Sequence, residues 1–66
     1  MVFKDFGISL MKIRTAQNIS AYELSLRLGK DPSYIHKVEN GKINISLKVI
    51  LQIAEILNIP PKSLFY

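Results

Sequence analysis

The chain has no cysteine, so neither a disulfide framework nor a thiolate metal site is open to it. Its single histidine, His36, has no metal-ligand set around it at helical spacing, and none of its serines has a base at a useful distance in the sequence. An enzyme is therefore the least supported class. No glycine loop of the phosphate-cradling kind is present, so no nucleotide cofactor is implied. The apolar runs fall far short of a membrane span, and the opening MVFKDFG lacks the apolar core of a signal peptide. The expectation is a cytoplasmic protein without a membrane partner. Internal repeats, low-complexity stretches and Gly/Ser linkers are also missing, so residues 1–66 read as one domain, with no sensor domain to bring a small-molecule ligand. No alternating strand pattern competes with helical periodicity, which gives an all-α fold class.

What is present is a short chain of 66 residues, 48% apolar, with a formal net charge of +4 and a pI near 9.6. So small a core is thinly stable and gains from a partner subunit, while the basic excess favours nucleic acid or another anionic surface.

The most informative stretch is Ser20 to Gly41, SAYELSLRLGKDPSYIHKVENG, where two short helices are separated by only Gly29, Lys30 and Asp31. Ser20 with Glu23 forms a capping box, Ile19 can staple onto Leu24, and Gly29 supplies the left-handed stop. Asp31 is a good N-cap for the second helix, with Pro32 at its first position, and Asn40-Gly41 ends it. That layout is a helix-turn-helix. Ile35 and Val38 point the second helix inward, while Ser33, His36, Lys37 and Asn40 cluster on the opposite side. Any surface helix turns polar residues to water. Here the tight turn, the double capping and the lack of acid on that face favour a different use: donors and acceptors placed to meet base edges in a DNA major groove.

Around this pair, a first helix is expected from about Asp5, acting as its cap, to Gln17, with Phe6, Leu10 and Ile13 on one side and Asn18 as a left-handed stop. Lys42 to Ile45 read as a loop. Ser46 caps a longer helix to about Leu57, which Asn58 ends and Pro60-Pro61 prevents from continuing, and Lys62 to Phe65 form a last short turn. The long helix is apolar over more than half its circumference. Leu47, Ile50, Leu51, Ala54 and Leu57 form the expected core stripe, and Val49, Ile53 and Ile56 a second lobe covered by the tail (Leu64, Phe65, Tyr66), by a second copy of the chain, or by both. Val49, Ile53, Ile56, Phe65 and Tyr66 are the expected dimer interface.

From Phe6 to Phe65 the chain resembles the Cro and lambda-repressor type of helix-turn-helix domain, also called the xenobiotic-response-element family of bacterial and phage regulators. The resemblance rests on FGISLMKIR, ISAYELSLRLG, SYIHKVENGK and SLKVILQIAEILNI, and most of all on Val38-Glu39-Asn40-Gly41 followed by a serine-capped helix. It implies a compact five-helix domain that binds double-stranded DNA as a homodimer at a palindromic operator, regulating transcription and in the first instance repressing it. The implied base-reading residues are Pro32, Ser33 and Lys37, joined from the helix-face argument by His36. Asn40, Gly41 and Lys42 are implied to lie on the sugar-phosphate backbone through side chains and main-chain N–H groups. Outside the resemblance, the Tyr34 and Tyr22 hydroxyls are candidates to replace a phosphate anchor, the alternative for a tyrosine at a helix edge being simple packing. A structural ion pair between Arg14 and Glu39 is implied as well, and Glu39, facing the apolar side of its helix, needs such a partner. Two positions depart from the family pattern: Ala21 replaces a glutamine that bonds phosphate, and Pro32 offers only a ring to a thymine methyl where a polar side chain usually reads a base. These departures keep a second class open, a protein-interaction module of the same fold with weak or lost DNA binding.

Overall fold

The computed structural model describes the backbone of residues 3–65 and the side chains of residues 5–65. Among the described residues four α-helices follow one another, α1 (Phe3–Ala16), α2 (Ala21–Arg27), α3 (Tyr34–Glu39) and α4 (Leu47–Leu57), and a single 3₁₀ turn (Pro61–Leu64) stands where a fifth helix is expected. Among the described residues there is no strand. α3 packs against both α1 and α2, and the 3₁₀ turn packs against α4 and α1.

All four helices end in the same way, and the sequence explains why. A left-handed residue follows each one: Asn18 (φ 59°), Gly29 (φ 72°), Gly41 (φ 71°) and Asn58 (φ 56°). The next N–H then turns back onto a carbonyl five residues earlier: Ile19 to Arg14 at 3.2 Å, Lys30 to Ser25 at 3.0 Å, Lys42 to Lys37 at 2.9 Å and Ile59 to Ala54 at 3.0 Å. Glycine and asparagine tolerate positive φ, so each satisfies otherwise orphaned carbonyls and redirects the chain within two residues. That is why helices this short can be joined so tightly. The starts are as legible: the Ser20 and Ser46 hydroxyls accept the N–H groups of Glu23 and Val49.

Three local expectations are corrected. α1 begins at Phe3, so Asp5 lies inside its first turn, where its charge complements the helix dipole, and is not the cap. The Glu23 carboxylate pairs with Arg27 one turn on, leaving the capping box with only its serine half. Regular helix in α3 starts at Tyr34, two residues after Pro32. Asp31 still caps, but it does so over a tight turn in which its Oδ1 accepts the Ser33 N–H at 2.8 Å and its carbonyl accepts the Tyr34 N–H at 2.9 Å.

The core gathers Phe6, Leu10, Leu24, Ile35, Val38, Ile53, Leu57 and Leu64, with Ile45 anchoring the loop before α4. α4 presents a different face from the one expected. Val49, Ile50, Ile53, Ala54 and Leu57 are buried, whereas Leu47 and Leu51 are 68% and 47% exposed. At about 100° per residue the apolar arc of this helix spans roughly 220°, more than one face of a small globule can cover. The chain buries the side bearing Val49 and Ile53 and leaves the edge bearing Leu47 and Leu51 uncovered. Val49 and Ile53 are thus core residues of the protomer, and Ile56 is half-buried. Tyr66 lies outside the described residues. Phe65 stays 39% exposed while its ring packs on Phe6 at 5.7 Å between centroids.

Candidate nucleic-acid interface

α3 is gripped from inside at both ends, which leaves its other flank to solvent. At its start, Ser25 of α2 is fully buried; its hydroxyl donates to the Ala21 carbonyl at 2.7 Å and accepts the Ile35 N–H at 3.0 Å. Ser33, formally the cap of α3, makes no side-chain cap bond. Ser25 therefore caps α3 from the neighbouring helix and ties the two helices of the pair together. Sequence reading missed this residue because its spacing from Ile35 has no local signature; a serine at a position facing the core was the available sign.

At the far end the Arg14 guanidinium forms a two-pronged bond with Glu39, Nε to Oε2 at 2.7 Å and Nη2 to Oε1 at 3.1 Å, and Nη1 reaches the Ile19 carbonyl at 2.8 Å. Both side chains are buried, and the fork geometry holds the end of α3 against α1 and the α1–α2 loop. The ion pair implied by the family resemblance stands in this arrangement. Gly7 allows it: a Cβ there would sit 2.4 Å from the Glu39 carbonyl oxygen, so α1 meets the end of α3 backbone to backbone. Gly7 also went unread in the sequence, since a glycine inside a helix shows its reason only when the partner backbone is in place.

The outward flank carries Pro32, Ser33, His36, Lys37, Asn40, Gly41 and Lys42, all exposed. Tyr34 is half-buried at its edge, its ring beneath the Lys30 ammonium (5.5 Å to the centroid), and burial pushes its hydroxyl pKa up. Tyr22 projects from α2 into solvent. With Glu39 turned inward onto Arg14, Asp31 is the one carboxylate at this flank among the described residues, and the hydrogen bonds from Ser33, first the hydroxyl and then the N–H, hold its pKa below the usual carboxylate value. A convex helix edge bearing hydroxyl, imidazole, ammonium and amide groups has the size and chemistry to enter a major groove.

One expected contact needs revision. The N–H groups of Asn40, Gly41 and Lys42 already donate within α3, to His36, Val38 and Lys37 carbonyls. Main-chain contact with phosphate is therefore not on offer at these positions; the Asn40 and Lys42 side chains remain, and Gly41 contributes its left-handed turn. Ala21 is buried and offers no hydrogen bond from its side chain.

The comparisons with known proteins agree with this geometry. The Helix-turn-helix family model of the Cro/C1 type matches residues 10–64. Among solved structures, the restriction-modification controller protein C.AhdI from Aeromonas hydrophila is 41% identical over 96% of each chain, with a TM-score of 0.89. The hypothetical transcription factor NHTF from Neisseria (24% identity, all of this chain and 76% of that one, TM-score 0.91) and the clp gene regulator ClgR from Corynebacterium glutamicum (17%, 98% and 69%, 0.91) share the fold. No curated protein is a significant match. Two helices joined by the short turn of residues 28–33, an outward flank on which Asp31 is the acid found among the described residues, and a family match over most of the length make one case: the chain belongs to the Cro/C1-type helix-turn-helix family of DNA-binding transcription regulators, not to a family of enzymes.

Proposed function

We propose that this protein binds a palindromic operator as a homodimer and represses transcription from it, working in the cytoplasm with its DNA. The observation that carries the reading is the exposed flank of α3, with Ser33, His36 and Lys37 turned outward and Glu39 withdrawn into an ion pair. Pro32, Ser33, His36 and Lys37 are the base-reading set; Tyr34, Asn40 and Lys42 fix the register on phosphate, with Gly41 shaping the turn between them. The 41% identity to C.AhdI, a restriction-modification controller, supports a controlling role of that kind. The second subunit would cover Leu47 and Leu51 of α4 together with Phe65, part of the apolar surface left open by the protomer. A two-fold dimer would place two copies of α3 in successive major grooves.

Selection of bound fragments from random duplex DNA, followed by anisotropy titration of the enriched duplex at two salt concentrations, tests this. A dimer making about six phosphate contacts should lose affinity about a thousandfold between roughly 50 and 200 mM salt, and the enriched sequence should be two-fold symmetric. Ala21, buried and without a hydrogen bond to offer phosphate, and Pro32 favour the second reading, a protein-interaction module; failure to enrich any sequence, with no salt-dependent binding, would count against the first reading.

A further inference from the structure

We propose that Ser33 reads DNA only as a hydrogen-bond acceptor, because Asp31 holds its proton, so that the base beneath it carries an exocyclic amine, adenine N6 or cytosine N4. The inference rests on the DNA-binding reading above and deepens it.

A serine hydroxyl has one proton to donate and lone pairs with which to accept, so a free one meets either kind of base edge. The Ser33 hydroxyl is not free. It lies 2.5 Å from Asp31 Oδ1, which also accepts the Ser33 N–H at 2.8 Å. An ionised carboxylate can only accept, so the direction of the bond is fixed, and both bonds keep Asp31 ionised. The neighbouring main chain adds no donor. Pro32 has no N–H, the Tyr34 N–H goes to the Asp31 carbonyl, and the Ile35 N–H goes to Ser25. Ser33 and the main chain beside it thus offer oxygen lone pairs, while the side chains of His36, Lys37 and Asn40 bring N–H donors. Major-groove edges present the matching contrast: amines on adenine N6 and cytosine N4, acceptors on guanine O6 and N7. Asp31 acts as a positioning residue, setting both the rotamer and the polarity of Ser33 without needing to touch DNA.

The experiment uses the full chain and the duplex that it enriches from a random library. Ser33→Ala first identifies the base pair at which sequence preference disappears; Ser33 is exposed, so the fold is retained, which circular dichroism checks. At that pair, purine for adenine or pyrimidin-2-one for cytosine removes the amine, and a 7-deazapurine removes the N7 acceptor. Removing the amine should weaken wild-type binding by roughly 2- to 10-fold, the worth of one hydrogen bond, and leave Ser33→Ala unaffected, while the 7-deaza change should cost both proteins the same. Asp31→Ala, which frees the hydroxyl to turn, should lose the discrimination between the two analogues. Coupling of Ser33 to N7 and not to the amine, or to neither, would overturn the inference and leave DNA binding standing. Lack of salt-dependent binding by the wild type would instead overturn the DNA reading, and the inference with it.

Discussion

Replacing Ser25 by alanine isolates the bond that joins the two helices of the motif. The hydroxyl is the partner of the Ile35 N–H, and Ile35 is fully buried, so in Ser25→Ala that N–H is left without an acceptor. An orphaned buried donor costs about 1–3 kcal/mol. Alanine is the better helix former by about 0.5 kcal/mol, which offsets part of the loss. The expected net destabilisation is about 1–2 kcal/mol, a large share of the roughly 3–10 kcal/mol available to a domain this size. It should appear as a fall in melting temperature of about 4–8 °C per kcal/mol. Thr15→Ala is the control, because that hydroxyl bonds carbonyls of its own helix on an exposed surface, and its removal should stay within about 0.5 kcal/mol. Denaturant unfolding measures both variants, and native-state hydrogen exchange should show the Ile35 amide exchanging faster than those of α4. Equal stability of the two variants, with the Ile35 amide still protected, would refute the cross-helix cap.

Arg14→Ala leaves Glu39 buried without its counter-charge and should cost about 3–5 kcal/mol, unfolding much of the population, whereas Arg14→Met combined with Glu39→Leu should recover most of that loss in the same denaturant assay. On DNA, Lys42→Ala should weaken binding to all sequences alike and reduce the salt slope by about 0.9, while Lys37→Ala should also change the preferred sequence; equal losses from both on every duplex would count against separate phosphate and base roles. Leu51→Glu places charge on an exposed apolar edge and should convert a dimer to monomers in sedimentation without altering the monomer's helical content; an unchanged dimer would move the interface away from α4.

The punctuation of the fold was readable residue by residue, because it is local chemistry. Ser20, Ser46, Asn18, Gly29, Gly41 and Asn58 each act on backbone groups within five residues of themselves, so spacing alone exposes them. The outward flank of α3 was readable for a related reason: Ile35 and Val38 fix which way a short helix faces. The misjudged face of α4 shows where this stops. When apolar residues cover most of a helix, periodicity no longer says which edge the core takes, and here the choice between Val49 with Ile53 and Leu47 with Leu51 is a matter of tertiary packing, to which the 3₁₀ turn lying on α4 contributes. Ser25 and Gly7 were hidden because each serves a backbone atom far off in the sequence, Ile35 N–H in one case and the Glu39 carbonyl in the other. Asp31 was read as a helix cap. Its pair of hydrogen bonds with Ser33, and hence its bearing on base choice, depends on a turn two residues longer than the cap pattern implied.

Entry of the outer flank of α3 into the duplex groove can be read from amide chemical-shift changes when the labelled protein is titrated with its selected duplex. The largest changes should fall on Ser33, His36, Lys37, Asn40 and Lys42, with Ile8, Met11 and Lys12, exposed on α1, unmoved. The reverse pattern, or changes spread evenly over the surface, would contradict it.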